Sequence, residues 1–180
     1  MQRRELSGTT FDDVAGVDEA GRGPWAGPVV AGAVILDMAN IPNGLNDSKK
    51  LSAKKRDGLF DEITATASFG VGWASVEEID EINILAASML AMRRAVDDLP
   101  IAPDNVLVDG NRDPNMNFPT ECIVKGDGKS LSIAAASIIA KVTRDRYMAE
   151  LSQDYPEYGW AKDAGYGVPQ HREALKLVGL

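Results

Sequence analysis

The chain of 180 residues has a formal net charge of −8 and a hydrophobic content of 44%, which are ordinary values for one soluble globular domain. Its single cysteine excludes an internal disulfide and a CxxC metal site, and its single histidine excludes a multi-histidine zinc site. The acidic balance, taken alone, argues against a nucleic-acid partner, although the placement of the charges matters more than their sum.

The first half of the chain predicts three strands and one helix. An apolar run at residues 14–17 predicts a strand that stops at two adjacent acids, and a glycine-rich turn follows. Residues 29–36 predict a second strand, apolar enough to be central in a sheet. Ser52 is a plausible N-cap for a helix, and residues 68–73 predict a third, short strand.

The second half alternates helices with short strands. Residues 83–98 carry one apolar stripe at helical spacing, which two prolines end. Residues 106–108 and 121–124 predict short strands, and residues 130–151 give the longest helical pattern, with alanines that allow a close approach to a sheet. A short helix ends at Leu177. The order of elements predicts an α/β fold in which helices pack on a mixed sheet.

Targeting and membrane signals are not visible in the sequence. The N-terminal stretch MQRRELSGTTFDD is polar and lacks the apolar segment of a signal peptide. The longest apolar stretch, residues 25–36, is interrupted by Gly and Pro and is too short to span a bilayer. We therefore expect one domain over residues 1–180, located in the cytoplasm and not bound to membranes.

Acidic residues follow three of the predicted strands: Asp18 with Glu19, then Asp109, then Asp127. If these strands are neighbours, four carboxylates converge at one edge of the sheet, and their mutual repulsion calls for divalent cations. Oxygen-only ligands suit Mg²⁺ or Mn²⁺, and two such ions about 4 Å apart would catalyse phosphodiester hydrolysis. Because adjacent strand residues point to opposite faces, one of the first two acids would have to reach the site through a bulge or the turn.

Two glycine-rich stretches resemble nucleotide-binding motifs without meeting their requirements. GRGPWA fits G-x-G-x-x-[GA], but prolines and a strand follow where a dinucleotide fingerprint needs a helix. GDGKS resembles the end of a P-loop, but the first glycine of that motif would fall on Ile123. The carboxylates therefore remain the strongest candidates for chemistry.

The longest motifs are GVDEAGRGPWAGPVVAGAVIL, LNDSKKLS, EIDEINIL, VDGNRDP and VKGDGKSLSIAAASIIAKVTRDR. They closely resemble bacterial ribonuclease HII, over roughly residues 13–175. The resemblance implies a ribonuclease H-like fold, with a central five-stranded mixed sheet flanked by helices. It also implies endonucleolytic hydrolysis of RNA in RNA–DNA hybrids, incision 5′ of single ribonucleotides in duplex DNA, and 3′-hydroxyl and 5′-phosphate ends. The implied cofactor is Mg²⁺ or Mn²⁺, with two ions when substrate is bound, and we expect a monomer.

The resemblance assigns roles to individual residues. The catalytic and metal-binding acids of the family fall on Asp18, Glu19, Asp109 and Asp127. The residues expected to bind substrate are Gly21, Arg22, Gly23, Asn46, Ser48, Lys49, Lys50 and Tyr166. The Gly–Arg–Gly turn would sense a 2′-hydroxyl by close backbone approach, which a side chain at either glycine would block. The tyrosine would stack on the nucleotide 3′ to the scissile bond.

Other positions depart from the family or stay ambiguous. Asp163 and Ala164 replace a usual histidine and lysine, and Val168 replaces a threonine, so we expect weaker binding there. The family usually continues past this point with a basic segment containing His–Arg–Arg, and we expect lower affinity without that segment. Asp145 is expected to be a surface partner of a neighbouring arginine.

The basic residues of KVTRDR have an ordinary interpretation as a solvated helix face. Two other functions remain open. One is a metal-dependent nuclease that acts on a different hybrid or on branched DNA. The other is a binding module without catalytic activity.

Overall fold

The apolar runs of the sequence form five strands in the computed structural model, which describes residues 13–179. The strands are β1 (Val14–Ala20), β2 (Val29–Ile35), β3 (Ser68–Ala74), β4 (Asn105–Asp109) and β5 (Thr120–Ile123). The helices are α1 (Ala53–Thr66), α2 (Val76–Asp97), α3 (Leu131–Asp154), α4 (Trp160–Asp163) and α5 (Pro169–Leu177). Short 3₁₀ turns lie at Ser48–Lys50, Gly126–Gly128 and Pro156–Tyr158. None of the helices in this described part of the chain is long and apolar enough to cross a membrane.

The strands pair in the order β3-β2-β1-β4-β5. They form one sheet with parallel and antiparallel pairs, which confirms the predicted mixed sheet. The strands β1, β2 and β3 pair antiparallel, whereas β4 and β5 run parallel to β1. The strand β2 is buried along its whole length, which fits its uninterrupted apolar sequence. Because β1, β4 and β5 run in the same direction, their carboxyl ends lie at the same edge of the sheet.

Helices cover both faces of the sheet. Ala15 and Val17 of β1 pack in a core with α2, whereas Val34 of β2 packs in a second core with α1 and α3. The helix α3 lies close to the sheet because its alanines meet strand glycines: a Cβ on Gly32 would lie 2.6 Å from the carbonyl oxygen of Ala136. Along β1, the first residues of α3 lie against Gly16, and Arg144 in the middle of α3 lies beside Gly21, just after the strand.

Two elements are longer than their hydrophobic patterns indicate. The strand β1 continues through Glu19 and Ala20, which pair with Ala31 and Val30 of β2, because backbone pairing does not require apolar side chains. The helix α2 begins before the predicted residue 83, since Ser75 and Glu78 form a capping box. The helix is interrupted at Asn83, whose backbone has a φ of 69°.

The predicted N-cap of the first helix is confirmed. The hydroxyl of Ser52 accepts a hydrogen bond from the Lys55 backbone N–H at 3.3 Å, and α1 begins at the next residue. The 3₁₀ turn just before it is capped by Asp47, whose carboxylate accepts a hydrogen bond from the Lys49 backbone N–H at 2.9 Å. Two consecutive side-chain caps therefore fix the path of the lysine-rich segment between β2 and α1.

Candidate active site

The register of two parallel strands brings Asp18 and Asp109 together. Val17 of β1 pairs with Val108 of β4, so the following residue of each strand is an aspartate at the same edge of the sheet. Both valines pack in the core under α2, and side chains alternate along a strand, so the two aspartates point to the opposite face, towards α3. Regular strand geometry is therefore sufficient to make the two carboxylates neighbours.

A tight turn after β5 adds Asp127 to this pair. The strand ends at Ile123, and Lys125 adopts a left-handed conformation with a φ of 56° that leads into the 3₁₀ turn Gly126–Gly128. The backbone N–H of Gly126 donates a hydrogen bond to Oδ1 of Asp109 at 2.6 Å, which ties the turn to β4. As a result, one carboxylate oxygen from each of Asp18, Asp109 and Asp127 lies within 4.8 Å of the others.

Burial and neighbouring acids disfavour the charged forms of Asp18 and Asp127. Asp18 is only 7% exposed, and its pKa is raised well above the usual value, first by burial and then by the charges of Glu19 and Asp109. The pKa of Asp127 is also raised, first by burial and then by Asp47 and Asp109. A divalent cation would relieve this repulsion, and the all-oxygen donor set fits Mg²⁺ or Mn²⁺.

Glu19 lines the same pocket but is not one of the three clustered acids among the described residues. It follows Asp18 directly in β1, and its Oε1 accepts a hydrogen bond from Nη1 of Arg22 at 3.1 Å. The expectation that a bulge or the turn brings one of these acids to the site is wrong. Both residues lie in regular antiparallel pairing, in which Asp18 of β1 is paired with Gly32 of β2 and Glu19 with Ala31.

The glycine-rich turn after β1 lies against the segment that carries Tyr166. The backbone N–H of Trp25 donates a hydrogen bond to the carbonyl of Gly165 at 2.9 Å. A Cβ on Gly23 would lie 3.4 Å from Cε1 of Tyr166, and this ring is 40% exposed at the pocket. The turn at Gly21–Gly23 and the side chain of Tyr166 are far apart in sequence. Together they form one rim of the pocket, beside the acids.

The two glycines of this turn differ in their tolerance of a side chain. Gly21 has a φ of 112°, and a Cβ there would lie 2.5 Å from the carbonyl oxygen of Pro28. Gly23 has no positive φ, and its Cβ would make only an ordinary contact with the ring of Tyr166. Backbone strain therefore requires a glycine at the first position and not at the second.

The 3₁₀ turn at Ser48–Lys50 forms another wall of the pocket. The pocket is lined by Asp47, Ser48 and Lys49, whereas Asn46 and Lys50 are not among its lining residues. The backbone N–H of Ser48, which is buried, donates a hydrogen bond to Oγ of Ser137 in α3 at 3.2 Å. Of the four LNDSKKLS residues that the sequence assigns to substrate, the structure thus places two at the pocket.

The comparisons with known proteins agree with this arrangement. The protein-family model described as Ribonuclease HII matches residues 15–179. The chain belongs to the ribonuclease HII family. It is 61% identical over 177 residues to ribonuclease HII of Magnetococcus marinus, which covers 97% of this chain and 83% of that relative.

Solved structures support the same family. The crystal structure of the ribonuclease H2 from Pyrococcus horikoshii OT3 superposes with a TM-score of 0.78 at 35% identity, covering 91% of this chain and 85% of that one. Bst-RNase HIII in complex with Mn²⁺ shares the fold, with a TM-score of 0.72 at 20% identity, covering 93% and 63%. The ribonuclease H-like fold is confirmed, and the chain is a metal-dependent endonuclease of the ribonuclease H type, which hydrolyses RNA in RNA–DNA hybrids.

Three charged residues that line the pocket are not assigned to the site from the sequence: Asp47, Lys141 and Arg144. Asp47 stands in LNDSKKLS as a countercharge to lysines, and its closeness to Asp127 depends on tertiary structure. The interpretation of the basic residues in KVTRDR as a solvated face is wrong for Arg144, which is 1% exposed. A signal was available, because this arginine lies four residues from both Ala140 and Met148 on the buried stripe of α3.

The expected partner of Asp145 is also wrong. Its carboxylate pairs with Nζ of Lys141 at 2.8 Å, one helical turn away, rather than with an adjacent arginine. Arg146 instead pairs with Asp57 at 3.3 Å and stacks over Phe60, with 4.5 Å to the ring centroid. Neighbours in sequence point to different sides of a helix, so an i, i+4 partner is better placed than an adjacent one.

Proposed function

We propose that this ribonuclease HII incises the strand 5′ of single ribonucleotides in duplex DNA, in addition to hydrolysing RNA in hybrids, and that it leaves 3′-hydroxyl and 5′-phosphate ends. The observation that carries this proposal is the position of three clustered carboxylates directly beside a glycine turn and an exposed tyrosine. The first feature suits hydrolysis of any phosphodiester, whereas the second suits recognition of a ribose. We expect the enzyme to act as a monomer in the cytoplasm, in ribonucleotide excision repair.

The acids would hold the metal. Asp18, Asp109 and Asp127 would bind Mg²⁺ or Mn²⁺, with Glu19 as a further ligand, and two ions would be present with substrate. When bound, the ions supply an activated water and stabilise the leaving oxygen. The hydrogen bond from Gly126 to Asp109 would hold two of these carboxylates in fixed relative positions before substrate arrives. Such preorganisation lowers the reorganisation that the reaction requires.

The rim would recognise the ribonucleotide. Backbone groups of Gly21, Arg22 and Gly23 would contact the 2′-hydroxyl, which can both donate and accept a hydrogen bond and which DNA lacks. The ring of Tyr166 would stack on the nucleotide 3′ to the scissile bond. The ammonium of Lys141 lies 5.7 Å from the centroid of this ring, so a positive charge accompanies the stacking surface.

The wall formed by the 3₁₀ turn would bind the phosphate backbone. We assign phosphate contacts to Lys49 and Lys50 and polar contacts to Asn46 and Ser48. The pocket position supports the role of Lys49 most strongly, because Lys49 and Tyr166 line the same pocket. Nζ of Lys50 lies 3.9 Å from Oδ2 of Asp47, so the aspartate partly neutralises the charge of Lys50 in the free protein.

The test is a cleavage assay on two end-labelled substrates, a DNA duplex with one embedded ribonucleotide and a continuous RNA–DNA hybrid. Mg²⁺ and Mn²⁺ are titrated separately, and both ends of each product are mapped, with Asp109→Asn as the inactive control. We expect incision 5′ of the ribonucleotide, with 3′-hydroxyl and 5′-phosphate ends. Cleavage of the hybrid alone would overturn the proposed junction activity, and binding without cleavage at any metal concentration would indicate a binding module.

A further inference from the structure

The side chain of Arg144 is buried in α3 and binds three backbone carbonyls instead of a carboxylate. Its Nε donates to the carbonyl of Pro28 at 2.9 Å, its Nη2 to that of Ala26 at 2.8 Å, and its Nη1 to that of Ala164 at 2.8 Å. The planar guanidinium is suited to this task because its donors point outwards in a fixed fork. One side chain therefore connects three segments of the chain.

Burial of the Arg144 charge, taken by itself, lowers the stability of the folded protein. Burial lowers the pKa of Arg144, and its acidic neighbour Asp145 is paired with Lys141. Taking a charge out of water carries a large desolvation cost, which its partners in the protein must offset. An arginine at this position is thus better explained by the geometry that it imposes on the bound carbonyls than by a gain in folding free energy.

The bound carbonyls belong to the two halves of the rim. Ala26 and Pro28 end the glycine-rich turn, and Ala164 precedes Tyr166 by two residues. Ala164 has a φ of 50°, a conformation that is uncommon for alanine, and its carbonyl accepts the hydrogen bond from Arg144. The guanidinium also lies under the turn itself, because a Cβ on Gly21 would lie 2.7 Å from Nε of Arg144.

We propose that Arg144 is a positioning residue that fixes the distance between the Gly21–Gly23 turn and Tyr166, and that it thereby sets the preference for a single ribonucleotide over a continuous hybrid. The inference rests on the function proposed above for these two elements. A single ribonucleotide offers one register, in which the 2′-hydroxyl contact and the stacking contact must form together. A continuous hybrid offers many registers, so it tolerates a rim whose two halves have moved apart.

The test compares Arg144→Lys and Arg144→Met with the matched control Arg146→Lys. Lysine keeps the charge but places its donors at one point, so it cannot span three carbonyls. Methionine keeps an unbranched stem but leaves the three carbonyls without this donor, so circular dichroism and the rate on the hybrid first establish that the variant is folded. The control changes an exposed arginine two residues away, which pairs with Asp57 outside the pocket. The readout is the ratio of kcat/KM for the single-ribonucleotide duplex to kcat/KM for the hybrid.

We expect both variants at position 144 to lower this ratio by roughly tenfold, which is the size of one lost stacking contact. Their kcat/KM for the hybrid should stay near wild type, and so should the ratio measured for Arg146→Lys. Adding Tyr166→Ala to Arg144→Met should lower the ratio little further, since both changes break the same arrangement. An equal loss on both substrates, or additive losses in the double variant, would overturn the inference. Failure of the wild-type chain to incise the single-ribonucleotide duplex would instead overturn the proposed function.

Discussion

The acid cluster and the rim of the pocket are built in different ways. Asp18 and Asp109 lie in regular extended strands, and pairing of β1 with β4 is enough to make them neighbours. The rim depends on positive φ values at Gly21 and Ala164, and on hydrogen bonds from Arg144 to the backbone. On the proposed function, two paired strands, with Asp127 added from the turn after β5, would carry the chemistry common to all substrates. An irregular, side-chain-supported part would carry the choice among them.

This difference predicts two classes of variant. Changes in the acid cluster should affect every substrate by the same factor, because they alter the bond-breaking step. Changes in the rim should affect a single ribonucleotide more than a continuous hybrid, because they alter recognition. An acid-cluster variant with a substrate-dependent loss, or a rim variant with equal losses on both substrates, would show that the two regions do not have separate functions.

The largest effect is expected from Asp109→Asn. The change removes one of the three clustered carboxylates and should lower kcat on both substrates by at least about 10³-fold, since a bound metal contributes several kcal/mol to the reaction. The fold should persist, because asparagine can still accept the hydrogen bond from Gly126. Steady-state kinetics at saturating Mn²⁺, together with circular dichroism, checks this expectation. Turnover similar to wild type would remove Asp109 from the catalytic centre.

Asp18→Asn should raise thermal stability in the presence of EDTA. The pKa of Asp18 is raised in the folded protein, so folding disfavours its charged form. The resulting penalty is absent below the ordinary aspartate pKa and grows as the pH rises towards the raised value. The Tm of the variant should therefore exceed that of wild type at pH 7, and the difference should shrink towards pH 3. A difference that does not depend on pH would contradict this origin.

Alanine substitutions at Gly21 and Gly23 form a matched pair within the rim. Gly21→Ala should lower the free energy of unfolding by about 1–3 kcal/mol, because it combines a strained φ with a contact against Pro28. Gly23→Ala should leave stability within about 0.5 kcal/mol of wild type, since its Cβ has room. Chemical denaturation of the two variants measures the difference. Equal losses would mean that the turn does not have the described backbone conformation.

Tyr166→Ala should lower kcat/KM for the single-ribonucleotide duplex about tenfold more than for the hybrid, because it removes the stacking surface. Tyr166→Phe keeps the ring and serves as the matched control, so its two values should stay near wild type. The comparison needs both substrates under one set of conditions. A loss in the phenylalanine variant as large as that in the alanine variant would assign the effect to the hydroxyl group.

The smallest effect is expected at the lysines of the 3₁₀ turn. Lys49→Ala should flatten the slope of log K against log salt by about 0.9, the contribution of one phosphate contact. Lys50→Ala should change it less, because Lys50 is not among the residues that line the pocket. Binding titrations of the hybrid at several salt concentrations, in Ca²⁺ to prevent cleavage, separate the two. An unchanged slope for Lys49→Ala would leave that lysine as a solvated side chain.

The sequence is informative where local pattern decides structure. Apolar runs locate the five strands. Asp109 is recognisable as a site residue because it follows directly after an apolar run, and a strand that leaves the core exposes its next side chain at the edge of the sheet. The pattern cannot show that β1 continues past its apolar part, since the pairing of Glu19 is a backbone property. The pattern also does not show the hydrogen bonds of Arg144. Its carbonyl partner Ala26 lies more than 100 residues away in sequence, and its partner Ala164 lies 20 residues away.

The helix break at Asn83 shows the same limit. Its side chain accepts hydrogen bonds from the backbone N–H groups of Leu85 and Ala86, so it caps the second part of α2. Asparagine is a common cap residue, and position 83 was therefore a reasonable start for a helix. The part of α2 that precedes Asn83, about two turns long, is visible only from the capping box at Ser75 and Glu78.

The separation of chemistry from recognition is tested most directly by one set of kcat/KM values. Asp109→Asn and Tyr166→Ala are assayed with the single-ribonucleotide duplex and the continuous hybrid, in the same Mn²⁺ buffer and at enzyme concentrations high enough to record residual turnover. We predict that Asp109→Asn lowers both values by the same factor, and that Tyr166→Ala lowers the first about tenfold more than the second. Equal losses for Tyr166→Ala, or a substrate-dependent loss for Asp109→Asn, would contradict the separation.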